Sequence, residues 1–274
     1  MIDAHLHLQD LRFPEDLFGV METLREAGIS RIVVNGTCPE DWGRVAELAD
    51  TFSEIIPSFG LHPWKVNGVP REWKDELEGL LLRYPGAGVG EIGLDRWIKG
   101  HDLESQSRCF QTQLEMAARL DRPLSIHCLQ AWGHLRECLE QAGSIPPFLL
   151  HSFGGRAEMI DDFVQRGAFF SLSGYFFRAE KAEKLRVFEK IPEDRILLET
   201  DAPDMMPPPE LVLRAMPDQE ENGPLNHPVN LASIYQAFAD WRGLDLETVI
   251  RLMRVNFDSW FRTGNRSEVR ADSA

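Results

Sequence analysis

Cysteine is scarce in this sequence. Four are present in 274 residues, Cys38, Cys109, Cys128 and Cys138, and no two share a Cys-x-x-Cys spacing. That pattern excludes a disulfide framework and suits reduced thiols in a cytosolic protein. No apolar run approaches the length of a membrane span, and no basic-plus-apolar leader precedes the first apolar segment. The expectation is a soluble, cytoplasmic protein with no membrane partner. Basic residues are in deficit, 29 Lys and Arg against 44 Asp and Glu, so the net charge is −15 with all eight His neutral. An acidic surface argues against clamping nucleic acid over the whole molecule, but not against a nucleic-acid substrate at one local site. A Gly-rich dinucleotide turn is missing, and nothing repeats beyond a strand–helix unit.

What is present is an alternation. Apolar runs at Arg31–Asn35, Ile55–Leu61, Ala87–Leu94, Pro123–Leu129, Phe148–His151, Ala168–Leu172 and Arg195–Asp201 read as strands, after a first strand around Asp3–His7. Between them, 3.6-residue periodicity predicts helices over Pro14–Gly28, Pro39–Phe52, Glu72–Tyr84, Leu103–Leu120, Trp132–Ala142, Ala157–Gln165 and Ala179–Lys190. Two more, Val229–Arg242 and Leu246–Phe261, close the pattern. Eight strands with short links and a helix after each describe an α/β protein, a single-domain (β/α)₈ barrel of the TIM type. An open doubly wound sheet is the structural alternative, and the missing dinucleotide turn counts against it. The long segment from Ala202 to Pro228 holds Pro203, Pro207-Pro208-Pro209 and Pro217 and is expected over the mouth of the barrel. Residues 1–263 form the barrel domain in this reading, and 264–274 a polar, frayed tail.

The first strand carries the chemistry. Side chains alternate on a strand, so Asp3, His5 and His7 share one face. Three polar groups on a buried face are costly unless something pairs with them, and a divalent cation is one solution. Active sites of such barrels lie at the C-terminal strand ends. His5, His7, Glu91, His127, His151 and Asp201 all fall there, where apolar residues would be usual. The competing reading, a structural ion pair for Glu91 and Asp201, wants Lys or Arg inside neighbouring strands. Only Arg31 and Arg195 occur, at the N-terminal ends. Six ligands exceed what one tetrahedral ion takes. Two divalent ions suit the count, with His5, His7 and Asp201 on one, His127 and His151 on the other, and Glu91 as the bridge. A bridging water would be the nucleophile, and Asp201 its general base. Asp3 and Glu199 are expected to orient imidazoles from deeper in the barrel, with Cys128 and Thr200 pointing the other way. Zn²⁺, Mn²⁺ or Ni²⁺ suit such ligands, whereas Mg²⁺ prefers more oxygen.

His62 ends the third strand before Pro63 and points to the mouth, where it could donate to a scissile group. Trp64, Trp97, Trp132, Phe153, Tyr175 and Phe176 follow strand ends; most are expected to pack there, and a few could stack bases of a single strand. Arg96 and Arg178, near the ends of strands four and seven, could neutralise flanking phosphates.

Asp3-Ala4-His5-Leu6-His7, Gly60-Leu61-His62-Pro63, Gly90-Glu91-Ile92-Gly93-Leu94-Asp95, Ile126-His127, His151-Ser152-Phe153-Gly154-Gly155 and Glu199-Thr200-Asp201-Ala202-Pro203 together resemble the TatD family of metal-dependent hydrolases, in the amidohydrolase superfamily. Asn226 with Pro228, and Asn256 with Phe261, resemble its closing motifs. The resemblance runs in order through almost the whole chain. It implies a metal-dependent barrel hydrolase with deoxyribonuclease activity, metal roles for the same six residues and a substrate-side role for His62. The sequence departs from the family at Cys128-Leu129-Gln130 and at Arg96, both near the mouth, which bears on substrate rather than metal. Three functions follow: a phosphodiesterase acting on DNA ends or single strands, a hydrolase of a small amide, ester or lactone, and a binding protein on a decayed barrel. The absence of any strand Lys, with Glu91 in the bridging place, favours the first, and the complete ligand set argues against the third.

Overall fold

The structure is a computed structural model and describes residues 1–13, 16–217 and 223–261. Eight parallel strands pair in sequence order: β1 (Ile2–Leu6), β2 (Arg31–Asn35), β3 (Ile55–Phe59), β4 (Gly88–Asp95), β5 (Leu124–Leu129), β6 (Phe148–Leu150), β7 (Ala168–Ser173) and β8 (Ile196–Glu199). Two backbone hydrogen bonds join the last strand's extension to the first: Asp201 N–H donates to the His5 carbonyl at 3.0 Å, and His7 N–H to that of Ala202 at 2.8 Å. The ring is thereby closed beside the residues expected to carry the chemistry.

Helices α1 (Leu17–Glu26), α2 (Pro39–Thr51), α3 (Trp73–Arg83), α4 (Leu103–Leu120), α5 (Trp132–Ala142), α6 (Ile160–Gln165) and α7 (Ala182–Val187) lie between successive strands. The last two are shorter than the periodicity predicts, because 3₁₀ turns at Ala157–Met159 and Phe188–Lys190 take up their ends. α4 shows how sequence sets position. Asp102 caps it by accepting from Ser105 N–H at 3.1 Å, and Gln106, Phe110, Gln113, Leu114 and Ala117 recur on its buried face. The two glutamines are not misplaced polar residues. β3 and β4 pair only at Ser58–Gly88 and Phe59–Val89, and beyond that their ends need other partners. Gln113 accepts from Leu61 N–H at 2.7 Å and donates back to its carbonyl at 3.2 Å. Gln106 does the same for Asp95, at 2.9 Å each way. The helix thus fixes the ends of both strands at the mouth.

α8 (Leu231–Arg242) and α9 (Leu246–Phe261) complete the described chain. Phe257, Trp260 and Phe261 of α9 join Ile2, Ala4, Val33, Leu149, Phe169 and Leu197 in one apolar cluster, which fills the barrel below the polar residues. On α8, the Tyr235 hydroxyl accepts from Ile2 N–H at 3.0 Å and donates to its carbonyl at 2.9 Å. The Ala202–Pro228 segment is only partly described. It contains a two-stranded hairpin, β9 (Ala215–Met216) with β10 (Leu225–Asn226). Asn230 holds it to the start of α8 by accepting from Leu213 and Arg214 N–H at 2.8 and 2.9 Å. Pro14, where the sequence places the start of the first helix, and the tail from Gly264 lie outside the described residues.

One expectation needs correction. Asp3 does not share the face of His5. The β1–β2 register slips between Asp3 and Leu6, a bulge that breaks strict alternation. Ala4 therefore packs into the lumen cluster, while Asp3 accepts from Thr200 N–H at 3.0 Å and from its hydroxyl at 2.6 Å. No imidazole is among its hydrogen-bond partners; it ties β1 to β8 instead. Burial pushes its pKa up to about 8.

Candidate metal centre

The six residues singled out as ligands converge with His62 around one carboxylate. Glu91, 3 % exposed, turns its two oxygens to two different groups. Oε2 lies 3.5 Å from His5 Nε2 and 3.2 Å from His7 Nε2. Oε1 lies 2.8 Å from His151 Nε2, 3.0 Å from His127 Nδ1 and 3.3 Å from His62 Nε2. Asp201 Oδ1 approaches His5 and His7 at 3.7 and 3.6 Å. Its backbone has φ of +52°, a strained conformation for a non-glycine and one that sits at the closing hydrogen bond of the barrel.

The outward ring atoms decide which nitrogen faces the centre. His7 Nδ1 sits 2.8 Å from the Asn35 carbonyl, which accepts only, so Nδ1 carries the proton and Nε2 turns a lone pair inward. His127 Nε2 donates to Asp95 Oδ2 at 3.0 Å, leaving Nδ1 for the centre. His5 Nδ1 meets the Ser125 hydroxyl at 2.8 Å. His151 Nδ1 has no hydrogen-bond partner among the described residues and lies 3.7 Å from Glu199 Oε1. Glu199 is held by Ser152 N–H at 2.8 Å, the Ser152 hydroxyl at 2.6 Å and the Ser171 hydroxyl. It stands beside an imidazole, as expected.

His62 differs. Its Nδ1 accepts from Trp64 N–H at 3.1 Å, so the neutral ring carries its proton on Nε2, the atom that faces Glu91. That atom is a donor, not a lone pair. Burial lowers its pKa to about 4, and that of His5 likewise to about 4. For His7 burial also acts downward, but the Glu91 contact and the charges of Glu91 and Asp201 outweigh it and carry the pKa to about 9. Burial pushes Asp201 up to about 7. Glu91, although buried, is held well below the usual carboxylate range by the histidines around it.

The donor set fits a metal. Inward lone pairs of His7 and His127 face carboxylate oxygens, an arrangement that demands a proton or a cation between them. Ligands about 2.1 Å from a tetrahedral ion stand about 3.4 Å from each other, and the separations among His5, His7, Glu91 and Asp201 run from 3.2 to 3.7 Å. His5, His7 and Asp201 offer one compact trio of ligand atoms. Two others combine His62, Glu91 and His127, and His5, His151 and Glu199. The sequence grouping of His127 with His151 appears as a 3.1 Å approach of Nδ1 to Nε2.

Asp95, the last residue of β4, is a further member of the centre that the strand-end pattern alone does not single out. It lies two steps of alternation beyond Glu91 on β4, which was the available signal. Its Oδ2 accepts from His127 Nε2 and, at 2.7 Å, from Trp64 Nε1, while Oδ1 accepts from Trp97 N–H at 2.6 Å. Burial opposes its charge, but these N–H groups outweigh burial and bring its pKa to about 2. An ionised carboxylate behind an imidazole fixes the ring and raises its basicity. Of the two arginines read as phosphate contacts, Arg96 is exposed, whereas Arg178 donates to the Met206 carbonyl at 3.0 Å and faces Glu180 at 3.7 Å.

An eight-stranded barrel with a buried histidine–carboxylate centre at its C-terminal strand ends is the architecture of a metal-dependent hydrolase. The chain belongs to the TatD family: the model described as TatD related DNase matches residues 2–262. The 3′-5′ ssDNA/RNA exonuclease TatD of Dickeya dadantii (strain 3937) is 30 % identical over 275 residues, covering 98 % of this chain and all of that protein. The uncharacterized metal-dependent hydrolase YjjV of Escherichia coli (strain K12) is 30 % identical over 206 residues, 74 % of this chain and 80 % of that one. The crystal structure of YjjV, a TatD homologue from Escherichia coli K12, superposes with a TM-score of 0.86 at 27 % identity, covering 96 % of this chain and 98 % of that chain. Fold class and family expectation are borne out. No helix among the described residues is long and apolar enough to cross a membrane.

Proposed function

We propose that this protein is a divalent-metal-dependent phosphodiesterase that trims the ends of single-stranded nucleic acid, with residues 1–263 as its one catalytic domain. The observation that carries the reading is the two-sided Glu91, one oxygen toward His5 and His7 and the other toward His127 and His151. A carboxylate so placed suits two ions better than one. Zn²⁺, Mn²⁺ and Ni²⁺ fit the nitrogen-rich ligands, and Mg²⁺ fits them less well. Bound there, the ions supply water activation and neutralise charge on a phosphodiester. Asp201, placed beside His5 and His7 at the end of the eighth strand, takes up the proton of the attacking water. His62 donates from Nε2 to a non-bridging oxygen, where negative charge grows. The named activity of the Dickeya relative, on ssDNA and RNA from the 3′ end, supports the substrate class.

Hydrolysis of a small amide, ester or lactone is the second reading, because the same fold serves many chemistries. A panel of single-stranded DNA and RNA, duplex DNA, an activated phosphodiester, amides and lactones, each with Zn²⁺, Mn²⁺, Ni²⁺ or Mg²⁺, separates the two. Shortening of single strands is expected. Turnover of an amide or lactone with no cleavage of any nucleic acid would reassign the enzyme.

A further inference from the structure

At the mouth, one side chain is joined to the metal centre and open to solvent at once. Trp64 follows β3 and is 47 % exposed. Its ring centroid lies 5.1 Å from that of His62, at a near-perpendicular angle, and 6.3 Å from that of His127. Large exposed aromatics cost free energy in water, and this one is held in place rather than left to find cover. The indole N–H is spent on Asp95 Oδ2, the same oxygen that accepts a hydrogen bond from His127 Nε2. Ring orientation is therefore fixed relative to a ligand of the centre before any substrate arrives. The indole also forms a wall of a hollow of about 290 Å³, with Lys65, Asn67, Glu40 and Cys38 around it. Trp97, 62 % exposed, has its backbone N–H held by the other oxygen of Asp95.

The geometry points to Trp64 as the platform on which an unpaired nucleobase next to the scissile phosphate stacks. The inference rests on the nuclease reading above and names how that site chooses its substrate. A phosphate at the centre touches the edge set by His62 and His127. The neighbouring base then lies within one ring's reach of the indole. Aromatic stacking accepts any base, because each presents a π face, and it demands that the base be unpaired. A preset indole also stacks without the ordering cost a mobile side chain incurs. The consequence is a preference for single-stranded ends that owes little to phosphate contacts, which suits a chain of net charge −15.

The test compares a single-stranded oligonucleotide with the same oligonucleotide carrying abasic sugars at its terminal and penultimate positions. KM is measured on each, and equilibrium affinity by fluorescence anisotropy with phosphorothioate-ended versions, all with metal-loaded enzyme. Wild type is expected to lose about tenfold in both on removal of the bases. Trp64→Phe keeps a stacking face and loses the N–H to Asp95. It should retain the discrimination while kcat falls on the oligonucleotide and on a small activated phosphodiester alike. Trp64→Leu should bind the intact strand about tenfold more weakly and show no further loss with the abasic one. Discrimination that persists in Trp64→Leu, or its absence from wild type, overturns the assignment while leaving the nuclease intact. The wild-type comparison stands even where the Leu variant fails to fold. If wild type cleaves no oligonucleotide at all, the nuclease reading falls and this one with it.

Discussion

The proton on His62 Nε2 has a measurable consequence. His62→Asn keeps a short acceptor for Trp64 N–H and removes the inward donor. We expect kcat to fall at least tenfold with bound metal unchanged, read by steady-state kinetics and elemental analysis. Loss of metal in that variant would make His62 a ligand instead. Glu91→Gln should lose metal and activity together, since a neutral amide bridges two cations poorly. Asp201→Asn should lose far more activity than metal, because one of its tasks is to take a proton; near-wild-type turnover would end the general-base assignment. The convergence of the six candidate ligand residues on one centre was legible in the sequence because chemically costly residues stood at strand ends, where burial makes them conspicuous. Asp95 was not legible in the same way, since its role depends on His127 and Trp64 arriving from two other strands.

At the scale of the element, β4 and β5 approach closely at a glycine. Gly93 has φ of +143°, and a Cβ there would lie 1.9 Å from the His127 carbonyl. Gly93→Ala should cost at least about 2 kcal/mol, seen as a lower urea midpoint, because either β4 or β5 must shift. The start of α8 carries a pH-sensitive group away from the centre. His227, 2 % exposed, accepts from Val229 N–H at 3.0 Å. Burial, helped by the charge of Arg214, lowers its pKa to about 4. From an ordinary value near 6.5 down to that pKa, the unfolded chain takes a proton that the folded one refuses. Stability therefore falls as pH drops through this window, by at most about 1.4 kcal/mol per unit from this group. His227→Asn keeps an acceptor and should show a flatter decline between pH 7 and pH 5; an unchanged slope would exclude His227. Strand and helix positions were legible because each periodicity reports burial on one side. The slip in β1 was not, since a bulge is settled by the neighbouring strand, and Asp3 was misplaced for that reason. The helices around α6 and α7 were overextended because 3₁₀ turns carry a similar apolar spacing.

For the whole molecule, charge bears on how the proposed nucleic-acid substrate would be held. With a net charge of −15, and with Arg178 bonded to the Met206 carbonyl and facing Glu180, few phosphate contacts are expected. Binding to single strands should weaken only shallowly with salt, and Arg96→Ala should flatten the log–log slope by roughly one unit while leaving a small activated phosphodiester unaffected. Equal effects on both substrates would remove Arg96 from the binding track. The bond between Tyr235 and Ile2 joins residues 233 apart, and α9 fills the lumen beneath strands made long before it. On the ribosome, then, His5 and His7 emerge first and wait for Asp201, α8 and α9 before the ring that holds them can close. A partly made chain has histidines but no centre. The parts of the candidate centre are thus spread along the chain from His5 to Asp201, and the fold that joins them is complete only with α9 in place.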